Sequence, residues 1–230
     1  MPPARTRVLQ LQEGVTYGPV RSRRLGRSLG VNLLPDDYKL CSFDCVYCQY
    51  GRTHVKSLSP EDHHFRDRDW VLRAVEMGLL MHGSDIDTIT FSGNGEPTLH
   101  PDFCAIVSGV RDLRDRMCPG VKLTIFSNST TVHLAHIRDA LALFDAPIIK
   151  LDAADPGTLA RINRPDPAVD LEHIVEELKE IPGLITQTVL IDGPVTNTRG
   201  EPFVRRVPLT TLHRIGRAVE QYTGCPVNAY

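Results

Sequence analysis

Apolar residues along this chain follow two periods in turn. Short apolar runs at 29–34, 87–91, 121–126, 147–151 and 184–191 predict strands, and the stretches between them repeat apolar residues at helical spacing. The first helix takes Asp69 as its N-cap, carries Val71, Leu72, Val75, Leu79 and Leu80 on one face, and stops at Gly83. Pro101 opens a second, built on Phe103, Ile106, Val107, Val110 and Leu113. A short third covers 134–143, and a fourth is capped at Asp170 and built on Leu171, Ile174, Val175 and Leu178. A fifth carries Leu212, Ile215, Ala218, Val219 and Tyr222 up to Gly224. Residues 226–230 predict a sixth strand with no helix after it. Such alternation means parallel strands joined by right-handed helical crossovers, an α/β architecture that either a doubly wound sheet or a barrel satisfies.

With 230 residues, 41% of them hydrophobic, the chain is long enough for one sizeable core, and the repeating units argue for one. Its net charge of −2 does not mark a nucleic-acid binder, but the charge is uneven. Arg5, Arg7, Arg21, Arg23, Arg24 and Arg27 stand against Glu13 alone in the first thirty residues, about +5, which leaves about −7 for the rest. We therefore separate a basic amino-terminal segment, 1–27, from a core domain, 28–230. The basic stretch suits phosphate binding or docking on the acidic remainder. No apolar run approaches a membrane span, and the amino terminus lacks a secretory apolar core, so the expected location is cytoplasmic.

The densest chemistry is Cys41-Ser42-Phe43-Asp44-Cys45-Val46-Tyr47-Cys48, three thiols on one loop behind the first strand. Thiolates suit zinc or iron-sulfur clusters, and three of them on a four-iron cube leave one iron open to a substrate. The competing site is a Cys3His zinc centre completed by His54, His63 or His64. Polar residues also gather after the next strands: Ser92-Gly93-Asn94-Gly95-Glu96-Pro97, Ser127-Asn128-Ser129-Thr130 and Lys150-Leu151-Asp152. The first group reads as a ligand loop or a glycine turn with a capping carboxylate, the second as a ligand set or an ordinary N-cap.

The C-x3-C-x2-C spacing, with an aromatic residue before its last cysteine, resembles the cluster loop of the radical S-adenosylmethionine (SAM) enzymes. Together with 22–30, 91–99, 127–129, 151–154 and 161–165, it resembles the branch grouped with the wyosine-base tRNA synthases, whose bacterial and archaeal members mostly lack an assigned substrate. The resemblance implies a partial (β/α)6 TIM-like barrel, here with its last helix missing, and catalytic loops at the carboxyl ends of its strands. It also implies a 4Fe-4S cluster on Cys41, Cys45 and Cys48, with SAM as second cofactor. Ser92, Gly93, Gly95 and Glu96 would hold the SAM amino group, and Ser127, Asn128 and Asp152 its ribose or carboxylate. Tyr47, Val189 and Ile191 would wall the adenine, although packing is the commoner use of such residues.

Arg161, Asn163 and Arg164 would reach across the mouth to an anionic substrate, or else form a solvated loop. An external electron donor of flavodoxin or ferredoxin type is implied, and a tRNA base is one implied substrate. No cysteine precedes Cys41, whereas the wyosine synthases carry an amino-terminal cysteine set for a second cluster. The alternative function is a zinc-stabilised RNA-binding or interaction module without SAM turnover. The segment before Leu29, or a second copy of the chain, is expected to cover the barrel edge left open at the sixth strand.

Overall fold

A computed structural model describes residues 8–59, 61, 63–192 and 205–228, with backbone alone for Ile191, Asp192, Arg205, Arg206 and Tyr222. An amino-terminal hairpin, β1 (Thr16–Ser22) and β2 (Gly26–Val31), is followed by the short pair β3 (Leu40–Cys41) and β4 (Val55–Lys56). Then come α1 (Arg68–His82), β5 (Thr88–Phe91), α2 (Phe103–Met117), β6 (Lys122–Ser127), α3 (Ala135–Leu141) and β7 (Ala146–Lys150). The chain continues through α4 (Pro156–Ile162), α5 (Leu171–Leu178), β8 (Ile185–Gln187), β9 (Ile191–Asp192), β10 (Arg205–Arg206) and α6 (Leu209–Thr223).

The main sheet has the order β1-β2-β5-β6-β7-β8. β1 pairs antiparallel to β2, and every later pairing is parallel. Register divides the sheet into two faces. Leu29, Val31, Ile89, Phe91, Leu123, Ile125 and Ile149 lie on one, in a core shared with Val71, Val75 and Leu79 of α1, Phe103, Ile106 and Val110 of α2, Ile137 of α3 and Ile174 of α5. The other face carries Ser28, Gly30, Thr88, Thr90, Thr124, Phe126, Ile148, Lys150 and Gln187. Four helices on one face and a hydroxyl-rich opposite face decide for the barrel over the doubly wound sheet: this is a partial (β/α)6 TIM-like barrel.

Several element boundaries depart from the sequence pattern. Asp67, not Asp69, caps α1, accepting from Trp70 N at 2.7 Å, and Leu80 is 66% exposed rather than in the core face. α2 begins at Phe103, after a turn that includes Pro101. The first strand starts earlier than 29, because the basic stretch is a hairpin turn rather than an arm. The fifth predicted strand is broken: β8 ends at Gln187, and β9 pairs with β10 in a separate sheet. Pro226 to Asn228 form no strand, and the remainder of the predicted sixth strand lies outside the described residues. The amino-terminal hairpin joins the sheet through β2, which pairs with β5, and leaves β1 as the edge strand opposite β8.

Candidate active site

The cysteine loop is tied to three strand ends. Leu40, one residue before Cys41, donates to Asn94 O at 3.0 Å and accepts from Glu96 N at 3.1 Å, a parallel bridge to Gly95. Gly95 has φ +148°, and a Cβ there would stand 1.6 Å from Leu40 O. Gly95 thus makes room for the chain itself, and Gly93 packs against the Asn32 amide. From the other side, Asp44 N donates to Asn163 O at 2.8 Å, Val46 N to Ile162 O at 2.9 Å, and Asp166 N to Ser42 O at 2.8 Å. The 161–165 segment, expected at the mouth, clamps this loop, and its first residues belong to the unforeseen helix α4.

Each thiol on the loop meets a side-chain nitrogen. Lys39 Nζ lies 3.0 Å from Cys48 Sγ, Asn128 Nδ2 3.5 Å from Cys41 Sγ, and Asn163 Nδ2 3.3 Å from Cys45 Sγ. All three cysteines are free. Burial pushes the Cys41 thiol up, and that of Cys45 up to about 11, and thiol protons of this kind are displaced when a metal binds. Lys39 is 2% exposed, and its other partner is the Gly51 carbonyl at 3.0 Å. Burial lowers its affinity for a proton, but the neighbouring Cys48, Cys41 and Cys45 outweigh that and raise it. Among the described residues the ion pairs involve other cations, so Lys39 faces the sulfur set, which supplies a matching charge once its thiols ionise.

Glu96 is 2% exposed, and its carboxylate already accepts four bonds. Thr98 N and Oγ1 donate at 3.2 and 2.7 Å, Ser127 Oγ at 2.8 Å and Asn128 N at 2.7 Å. It therefore joins the ends of β5 and β6, and burial outweighs those donors to hold its carboxyl above the ordinary glutamate range. Ser92 Oγ is paired with Tyr17 OH at 2.6 Å.

Asp152 centres a second group, 1% exposed. It accepts from Val189 N and Asn163 Nδ2 at 2.8 and 2.7 Å, binds Tyr47 OH, and lies 3.4 Å from Lys150 Nζ. Lys150 also stands 4.7 Å from the centre of the Tyr47 ring, and burial lowers its pKa despite Asp152. Val189 contributes its backbone here, and the side chain of Ile191 lies outside the described residues. Asn163 is fully buried, and its Oδ1 has no partner. Arg161 is exposed, while Arg164 is half-buried with a left-handed φ of 46°.

Three thiols, each with a side-chain nitrogen beside its sulfur, are a donor set suited to a thiolate-held metal group. Among the described residues no three His, Cys, Asp or Glu side chains converge on one metal position, as a tetrahedral zinc requires. His54 Nδ1 instead takes Lys39 N at 3.4 Å, His63 packs between Tyr38 and Phe65, and His64 is exposed. Sequence reasoning missed Lys39 and Asn94. A lysine two residues before a thiol was a usable signal for the first. Asn94, whose amide bonds Gln12 and Pro35, gave none.

Residues 37–198 match the Radical SAM superfamily. The chain is 34% identical over 183 residues to a UPF0026 protein of Methanocaldococcus jannaschii, covering 77% of this chain and 54% of that protein. Against a UPF0026 protein of Synechocystis it is 36% identical over 197 residues, 84% of this chain and 70% of the relative. The chain thus spans only about half the length of the first of these. Among solved structures, SuiB of Streptococcus suis bound to S-adenosylmethionine aligns with 85% of this chain and 47% of that one, at 14% identity and a TM-score of 0.50, a likeness of fold. No helix among the described residues is long and apolar enough to cross a membrane.

Proposed function

Because the chain belongs to the radical SAM superfamily, a superfamily of enzymes, we propose that Cys41, Cys45 and Cys48 hold a 4Fe-4S cluster with SAM at its fourth iron. When bound, such a cluster would supply the single electron that cleaves the sulfonium of SAM into methionine and a 5′-deoxyadenosyl radical able to take hydrogen from a substrate. The observation that carries this reading is the match of three thiols on one clamped loop with three nitrogen donors, one of them a buried ammonium that lacks a carboxylate partner among the described residues. The chain's own part is placement: the bridge to Gly95 and the 162–166 clamp fix the loop against the strand ends. Glu96 acts as a positioning residue, fixing Ser127 and Asn128 rather than offering a bare carboxylate.

An external flavodoxin- or ferredoxin-type protein supplies the electron in this reading. A tRNA base, as in the wyosine branch, is the first substrate class to test. Arg21, Arg23 and Arg27 of the hairpin are exposed and would meet its phosphates.

Anaerobic reconstitution with iron and sulfide tests the proposal. About four irons per chain are expected, together with release of 5′-deoxyadenosine from SAM and dithionite, and Cys45→Ala should abolish that release. Stoichiometric zinc with no iron uptake would overturn it in favour of a zinc-stabilised module.

A further inference from the structure

We propose that Lys39 is the counter-charge of the thiolate loop and raises the reduction potential of a cluster held there, with the amides of Asn128 and Asn163 as weaker donors to the other two sulfurs. This rests on the iron-sulfur reading above.

A lysine ammonium withdrawn from water is costly unless an opposite charge replaces the lost hydration. Lys39 is withdrawn almost completely, yet among the described residues the hydrogen-bond partners of its Nζ are a neutral carbonyl, Gly51 O, and Cys48 Sγ, both at 3.0 Å. A tether for the Gly51 turn needs only a neutral donor. A full positive charge makes sense beside ionised sulfur, and the benefit grows with the negative charge it faces.

One-electron reduction by an external donor adds one negative charge to a cluster while no proton moves and no bond breaks. A fixed cation beside one of its sulfurs therefore stabilises the reduced form more than the oxidised form. Hydrogen bonds to cluster sulfurs and local net charge are the protein's principal means of setting such potentials. Asn128 and Asn163 act in the same direction without charge, at 3.5 and 3.3 Å.

The test compares wild type with Lys39→Met, Lys39→Gln and Lys39→Arg after anaerobic reconstitution. It measures iron per chain and then the midpoint potential, by titration with titanium(III) citrate followed through the electron paramagnetic resonance of the reduced cluster. Lys39→Met is expected to keep its iron and to lose at least tenfold in relative affinity for the electron, about 59 mV more negative for a one-electron couple. Lys39→Gln should fall between it and wild type, and Lys39→Arg should stay within twofold of wild type.

If both neutral variants fail to load iron while Lys39→Arg loads it, the charge is required even for assembly, and the proposal stands. Equal potentials in loaded wild type and Lys39→Met overturn it, as does failure of all three variants alike. Wild-type protein that takes up no iron overturns the proposed function and this inference together, whereas loaded wild type with charge-independent potentials overturns the inference alone.

Discussion

Leu40 and Gly95 stand backbone to backbone, so close that a single methyl on Gly95 would overlap the Leu40 carbonyl oxygen. The first thiol of the loop follows directly on Leu40, so this contact sets where the loop begins. Gly95→Ala should therefore destabilise the protein by about 3 kcal/mol or more, combining a strained φ with overpacking. Denaturant melting measures the loss, and iron uptake should fall with it. A wild-type melting curve would mean that the two strand ends separate without consequence.

Asp152→Ala should cost about 3–5 kcal/mol, because it leaves the mostly buried Lys150 ammonium without its carboxylate. Adding Lys150→Met should recover about 1–2 kcal/mol of that, since the uncompensated charge is then gone. A double variant no more stable than the single would show that the Tyr47 and Asn163 bonds to Asp152, not the ion pair, carry the effect.

Glu96 gives a pH dependence of known sign. Its folded-state pKa is raised, so its contribution to stability is full below the unfolded glutamate value of about 4.3 and is lost as pH rises through the raised value. Glu96→Gln behaves as a permanently neutral reference. As pH rises from the unfolded glutamate value of about 4.3, wild type should lose stability relative to that variant, read as a difference between paired urea melts. A gap constant across the range would place the carboxyl at its ordinary value.

The histidines near the cysteine loop separate the two metals. Replacing His63 or His64 by alanine should leave iron content unchanged and cost under about 1 kcal/mol, since neither is among the cluster ligands proposed here. Metal analysis after anaerobic purification checks this, and loss of bound metal in either variant would restore the zinc site.

Much of the fold was legible because burial acts through periodicity. Strands 87–91 and 121–126, the Asp170 cap and the Gly224 stop all appear where apolar spacing and cap chemistry put them. Of the hairpin, only the second strand was announced by its apolar run; β1 was not legible, because Thr16–Ser22 is polar and no more than half-buried and leads straight into the arginines of the turn. Asn163 shows the same limit at the site. In sequence it sits between two arginines before a proline and reads as solvent loop, yet the fold buries its amide against Cys45. The cysteine loop itself was found from spacing alone, but its nitrogen donors come from positions up to 118 residues away.

That separation bears on how the protein is made. Residues 162–166 must leave the ribosome before Asp44, Val46 and Ser42 can find their backbone partners, so the three thiols are synthesised long before their enclosure can close. Contacts of such long range form late in folding. On the iron-sulfur reading proposed above, the nascent chain would through that interval offer its sulfurs openly to iron and sulfide and to oxygen alike, and the order of synthesis would give cluster insertion a window that shuts as the barrel is completed.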